Sequence, residues 1–212
     1  MKSYRSFNIR LHSCSSVMLT YGRGVVASLG LVALLATLSF STIPVLAAAQ
    51  HDIKPVRLFS DGSSVPGSWS TLLRTSSGVT MTLHTSGLAS GDAVTIWWVV
   101  FNHPEFCSQG VFGLRCGKGD LANPSVDASV LYAAGHVIGG DGVANYGAHL
   151  AVGELRIQVL FGPGLTNPMG ADIHLIVHDH GPMTPALMPA EIHSFDVCNP
   201  ICVDLQHTAH EA

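Results

Sequence analysis

Apolar and polar residues alternate in short runs after residue 50, a pattern typical of β-strands. No stretch there keeps a long helical period free of glycine or proline. Short runs of β-branched and aromatic residues recur instead, bounded by turn signals such as Gly139–Gly142 and Gly162–Gly164. The pattern predicts these strands: Val56–Phe59, Trp69–Leu73, Val79–Thr85, Ala93–Asn102, Ser129–Ile138, Ala144–Leu150, Leu155–Phe161, Ile173–His180, Glu191–Asp196 and Val203–Thr208.

So many strands without crossover helices predict antiparallel pairing. We therefore expect residues 50–212 to form a single all-β domain, an antiparallel β-sandwich, with a closed β-barrel as the alternative. The segment Thr95–Phe101 is apolar on both faces, which predicts a central strand covered on both sides. Trp97 and Trp98 are interpreted as core residues rather than a carbohydrate platform, because aliphatic residues surround them.

The first 49 residues have the layout of an export signal. Val25–Phe40 is almost entirely apolar and follows a cation, Arg23. Ala47–Ala49 then fits the small-x-small rule for peptidase cleavage, which would make Gln50 the first mature residue. We therefore predict a secreted or periplasmic protein.

Two alternatives to this boundary stay open. Translation from Met18 would give a more compact signal, and Val25–Ala49 is also long enough to serve as an uncleaved membrane anchor. Contact with a membrane is expected only in the second case.

Charge is distributed unevenly along the chain. The whole sequence has a net charge of −4, but four of its ten cations and none of its 14 acids precede residue 50, which leaves −8 on the remainder. An acidic domain repels phosphate backbones, so nucleic acid is not expected as a partner.

Four of the five cysteines follow residue 50, an even number that suits an oxidising compartment. Each pair, Cys107 with Cys116 and Cys198 with Cys202, would close a short loop, so these two disulfides are predicted. Zinc ligation by the thiols is the competing interpretation, which the absence of Cys-x-x-Cys spacing disfavours.

The strand Ile173–His180 is the one place where the pattern points to metal chemistry. One face is aliphatic and the other carries three imidazoles, His174, His178 and His180. Residues two apart on a strand lie roughly 7 Å apart at Cα, so His178 and His180 can tilt toward one ion. Imidazole with thioether favours copper, and imidazole with carboxylate suits zinc. Further candidate ligands are Met183, Met188 and His193, followed by His207 and His210.

Two simpler interpretations compete with a metal site. Histidine is tolerated on a solvent-facing strand, and the 11 histidines after residue 50 would gain charge together below about pH 6.5. The sequence also lacks Gly-x-Ser-x-Gly and His-Glu-x-x-His.

Three hypotheses follow. The first is an exported non-enzymatic β-sandwich module of unknown ligand. The second is a copper- or zinc-binding protein. The third is an extracytoplasmic hydrolase, although no residue can be named as catalytic.

Five segments lie between residues 78 and 208: Thr82–Leu88, Trp97–Asn102, Ala134–Val137, Glu191–Cys198 and Cys202-x-Asp204-x-Gln206. Together they resemble a group of uncharacterised secreted bacterial β-rich proteins. The resemblance implies no activity. It does imply a pattern that retains His174 and His180 and leaves His178 optional, and it makes His84 and His136 further candidates beside His180.

Overall fold

The computed structural model describes residues 48–155 and 158–212, which form an all-β structure. The predicted signal segment lies outside these residues, apart from Ala48 and Ala49. The nine strands are β1 (Gln50–Leu58), β2 (Ser64–Thr75), β3 (Gly78–Thr85), β4 (Asp92–Phe101), β5 (Ala128–Val137), β6 (Ala144–Ala151), β7 (Val159–Phe161), β8 (Asp172–Pro182) and β9 (Val203–His210).

All nine strands belong to one sheet, in the order β6-β3-β2-β1-β9-β8-β4-β5-β7, and every neighbouring pair is antiparallel. The predicted all-β antiparallel fold is confirmed. Its two layers are the two halves of a single curled sheet rather than two separate sheets.

Curling the sheet into a half-barrel brings strands from opposite ends of the order together. The ring of His136 on β5 stacks on that of Tyr146 on β6, with centroids 4.6 Å apart. The inner face encloses a continuous apolar core to which all the long strands except β9 contribute buried side chains, among them Leu72, Met81 and Leu175.

Strand β4 is buried along its whole length, as the two-faced apolar pattern predicts. Trp98 points into the inner core and Trp97 to the outer face, and both are fully buried. The outer face needs a separate cover, because a sheet of this shape shields only its concave side.

Two long loops supply that cover. The β4–β5 loop (residues 103–127) packs Cys116 and Val126 against Trp97, Val99 and Phe101, and the β8–β9 loop (residues 183–202) adds Phe195. Both predicted disulfides are present, Cys107–Cys116 in the first loop and Cys198–Cys202 at the end of the second.

The prediction of a strand over Glu191–Asp196 is wrong. A short helix, α1 (Met188–Glu191), lies there instead, and the chain continues as loop. The buried Glu191 carboxylate accepts a hydrogen bond from the backbone N–H of Thr184, which folds the segment back on itself. Among the described residues no helix is long and apolar enough to cross a bilayer.

Candidate functional site

A cavity of about 760 Å³ lies on the outer face of the sheet, beneath the two loops. Trp97, Val99 and Phe101 of β4 form part of its wall, and Phe195 of the β8–β9 loop forms another part. Its volume falls in the range of small-molecule sites, which is about 300–1,000 Å³.

The β4–β5 loop is held in place over this cavity by its own hydrogen bonds. The carboxylate of Asp120, which is almost fully buried, accepts backbone N–H bonds from Ser108 at 2.8 Å, Gln109 at 3.0 Å and Gly117 at 2.9 Å. A Cβ atom at Gly117 would overlap the carbonyl oxygen of Gln109, so the close approach of these two segments of the loop requires glycine. With the Cys107–Cys116 bridge, these contacts fix the cavity wall before any ligand arrives.

Two histidines from neighbouring strands line the cavity. His174 of β8 is opposite Ala209 of β9, and Ile176 is opposite His207, so both imidazoles lie on the outer face one diagonal step apart. His174 is 6% exposed and His207 is 4% exposed. The Nε2 atom of each has no hydrogen-bond partner. Such groups are rare in proteins, because leaving a buried polar atom unpaired costs about 1–3 kcal/mol.

Burial keeps both imidazoles uncharged. Desolvation is the main reason that the pKa of His174 falls to about 3, with smaller effects from His207 and His210. Burial likewise lowers the pKa of His207, and Arg57 lowers it further. Aromatic rings enclose the pair: Phe101 meets His174 edge-on with ring centroids 5.0 Å apart, and Phe59 meets His207 in the same way at 5.0 Å.

The two other histidines predicted on this strand lie outside the cavity, at the end of β8. Among the described residues, His178, His180 and Cys202 form the one group of histidine, cysteine and acidic side chains with metal-site geometry, their ligand atoms lying within 4.8 Å of one another. His174 is not part of this group. The interpretation of β8 as a solvent-facing strand is wrong, because all three imidazoles are buried beneath the loops.

Each ring nitrogen of this cluster already has an oxygen partner. His178 donates from Nδ1 to Asp204 at 2.6 Å and pairs through Nε2 with the carbonyl of Phe195 at 3.2 Å. His180 donates from Nδ1 to the carbonyl of Val197 at 2.7 Å. Its Nε2 accepts from the hydroxyl of Thr95 at 2.8 Å, and that hydroxyl accepts from the indole N–H of Trp97.

The remaining candidate ligands are distributed around the fold. His193 is exposed and hydrogen-bonds to the carbonyl of Pro189, while Met183 and Met188 are half-buried in the β8–β9 loop. His84 pairs with Asn145 on the outer face of β3, whereas His136 stacks on Tyr146 at the inner face. Because these two lie on opposite faces of the sheet, they do not converge with His180.

A hydrogen-bonded chain of serine, histidine and aspartate lies on the inner face, and the sequence pattern did not reveal it. Ser70 Oγ lies 3.0 Å from Nε2 of His210, whose Nδ1 donates to Asp52 at 3.1 Å. The order resembles a hydrolase triad. Ser70 and His210 are nevertheless fully buried, and neither is among the residues that line the cavity. The Ser70–His210–Asp52 chain ties β1, β2 and β9 together in the buried interior.

Comparisons with protein-family models, curated proteins and solved structures found no match. The resemblance to secreted bacterial proteins therefore stays a prediction.

Proposed function

We propose that this chain is an exported, non-enzymatic binding module whose outer-face cavity takes up an apolar small molecule. The observation that carries the proposal is the combination of a preformed apolar cavity with two buried imidazoles whose Nε2 atoms lack partners. An apolar ligand would gain burial in such a site, and a single polar group on it could satisfy an imidazole.

The exposure of residues that line the cavity favours a ligand that enters from solvent. Val111 and Phe112 of the β4–β5 loop line the cavity while remaining 52% and 49% exposed, and Phe161 of β7 is also exposed. Exposed apolar residues grouped around one opening are typical of a binding site.

Export is supported by the cysteines. Two disulfides suit an oxidising compartment outside the cytoplasm.

A binding assay with an uncharged fluorescent probe, N-phenyl-1-naphthylamine, tests the proposed site in the full chain. We expect saturable binding at one equivalent. Replacing Val99 and Val130 by Phe should weaken it at least tenfold, since both side chains line the cavity and larger ones would fill it. The matched control is Val152→Phe, an exposed position away from the cavity. Absence of saturable binding, or equal binding by all variants, would refute the proposal.

Export has its own experiment. Expression of the whole gene followed by cell fractionation should place the protein outside the cytoplasm, with Gln50 as its first residue by mass spectrometry. A cytoplasmic protein that retains residues 1–49 would contradict this part of the proposal.

A second candidate function rests on the His178–His180–Cys202 group. We propose that it binds copper or zinc after an external dithiol reduces the Cys198–Cys202 disulfide to two thiols and is itself oxidised to a disulfide; Cys202 would then lose its proton and bind the metal as a thiolate. The sulfur of Cys202 already lies 3.5 Å from Nδ1 of His180. Two imidazoles and a thiolate are a donor set that both metals accept.

Two serine variants distinguish this candidate from adventitious binding. Cys198→Ser leaves Cys202 as a free thiol, and Cys202→Ser leaves Cys198. We expect tag-free Cys198→Ser protein to bind one equivalent of zinc at micromolar or tighter affinity by calorimetry, and Cys202→Ser protein to bind at least tenfold more weakly. Equal affinities would reject the site.

A further inference from the structure

The polar chemistry of the cavity narrows the class of ligand. It offers two imidazoles, together with one cation, Lys118, and one carboxylate, Asp204, at its walls. The last two have opposite charges, so the lining has no excess of either sign. Gln109 also lines the cavity, but it is exposed, as are Lys118 and Asp204, whereas the imidazoles of His174 and His207 are buried.

An uncharged imidazole has one N–H donor and one nitrogen acceptor. A hydroxyl group matches it in either arrangement, because a hydroxyl both donates and accepts. A carboxylate can only accept, and burying it beside the neutral imidazoles would remove its hydration without supplying an opposite charge, since the cation Lys118 is exposed. An ammonium group meets the same desolvation cost and can only donate.

The shape and chemistry of the walls favour an aromatic skeleton. The rings of Trp97 and Phe195 lie at 85° to one another with centroids 5.2 Å apart, and Phe101 presents an edge to His174 at an angle of 64°. The walls therefore offer both ring edges and ring faces. A flat ring can adopt the edge-to-face and offset geometries that aromatic pairs prefer, whereas an aliphatic chain gains only from burial.

From these observations we infer that the cavity binds a planar aromatic molecule bearing one uncharged hydroxyl group, which hydrogen-bonds to the imidazole pair of His174 and His207. The inference rests on the proposed binding function and specifies its ligand class. It also gives the unpartnered Nε2 atoms of His174 and His207 a role in hydrogen bonding to the ligand, which packing alone does not explain.

The test uses three compounds that share the naphthalene ring system: naphthalene, 2-naphthol and 2-naphthoate. Their affinities for the full chain are measured by calorimetry at pH 7. We expect 2-naphthol to bind about tenfold more tightly than naphthalene, the factor that corresponds to one net hydrogen bond. We expect 2-naphthoate to bind more weakly than 2-naphthol by at least tenfold.

A double variant, His174→Phe with His207→Phe, should abolish the preference for the hydroxyl group, so that 2-naphthol and naphthalene bind to it with equal affinity. His149→Phe, at an exposed position on β6, is the matched control and should retain the preference for the hydroxyl.

The outcomes separate this inference from the proposal on which it rests. If neither the three compounds nor N-phenyl-1-naphthylamine binds, both fail; if only N-phenyl-1-naphthylamine binds, the inference fails and the binding function stands. If naphthalene and 2-naphthol bind equally, or 2-naphthoate binds most tightly, the hydroxyl preference is wrong while the binding function stands. A double variant that unfolds would be replaced by the single variants, each of which should lose part of the preference.

Discussion

The inner core and the outer-face cavity both bury histidine, and they differ in how the ring nitrogens are used. On the inner face, His210 donates to Asp52 and pairs with Ser70, so both nitrogens have partners. In the cavity, the Nε2 atoms of His174 and His207 have none.

That difference separates structural histidines from candidate binding residues. A buried hydrogen-bonded histidine stabilises the strands it joins, and its loss leaves its partners unpaired. A buried histidine with an unpaired nitrogen destabilises the free protein, and a ligand that supplies the missing bond recovers that free energy. The comparison can be tested by applying acid or substitutions to both regions and measuring stability and ligand binding.

Acid should produce the largest effect, because it acts on both regions. Burial lowers the pKa of His210 to about 4 and that of His174 to about 3, whereas both titrate near 6.5 when unfolded. Between pH 6.5 and 4 the unfolded chain therefore binds protons that the folded chain does not, and stability falls as the pH falls. The expected slope is up to about 1.4 kcal/mol per pH unit for each histidine.

Urea unfolding at pH 7 and pH 5 measures this loss directly. The variants His210→Leu and His174→Phe should each show a smaller difference between the two pH values than the parent protein. Equal stability of the parent at both values would show that neither histidine is held neutral.

Replacing His210 by Leu should cost about 2–4 kcal/mol at pH 7, since Ser70 would be left buried without its partner and Asp52 would lose a bond. Chemical denaturation measures the change, with His149→Leu at an exposed position as the control, expected to change stability by less than about 0.5 kcal/mol. If His210→Leu changed stability as little as His149→Leu, the Ser70–His210–Asp52 hydrogen bonds would contribute little to the stability of the fold.

Removing the Cys107–Cys116 disulfide by a double Ala substitution should cost about 2–3 kcal/mol, from the chain entropy of the short loop that it closes. Because this loop covers the cavity, the variant should also bind N-phenyl-1-naphthylamine more weakly. Unchanged probe affinity with lowered stability would show that Asp120 alone holds the loop in place.

The smallest change is expected for His174→Phe, which should leave stability within about 1 kcal/mol of the parent at pH 7. Losing the imidazole removes an unpaired polar atom, and the phenyl ring can pack against Phe101. A loss of more than about 2 kcal/mol in urea unfolding would indicate that His174 has a structural partner, which would remove the contrast with His210.

Local pattern was sufficient for some of these features. The aliphatic face of β8 and the two-faced apolar run of β4 follow directly from residue alternation. The disulfides join cysteines only nine and four residues apart, so the pairing could be predicted from their closeness in sequence.

Features made by distant segments could not be predicted in this way. Alternation placed His174 and His178 on the face opposite the aliphatic core, but it did not show that two loops would bury that face. Ser70 and His210 are 140 residues apart in sequence, and only the order of β1, β2 and β9 in the sheet brings them together. The cavity has the same origin, since its walls come from five strands and three loops.

The protein has three tryptophans, and the fold distributes them over three environments. Trp97 lies in the cavity wall, its neighbour Trp98 is enclosed in the inner core, and Trp69 is partly exposed on β2. Adjacent residues on one strand thus act as separate optical reporters. A ligand in the cavity should change the emission of Trp97, and opening of the core should shift the emission of Trp98 to the red, so variants that retain only one of the two tryptophans should report ligand uptake and unfolding separately.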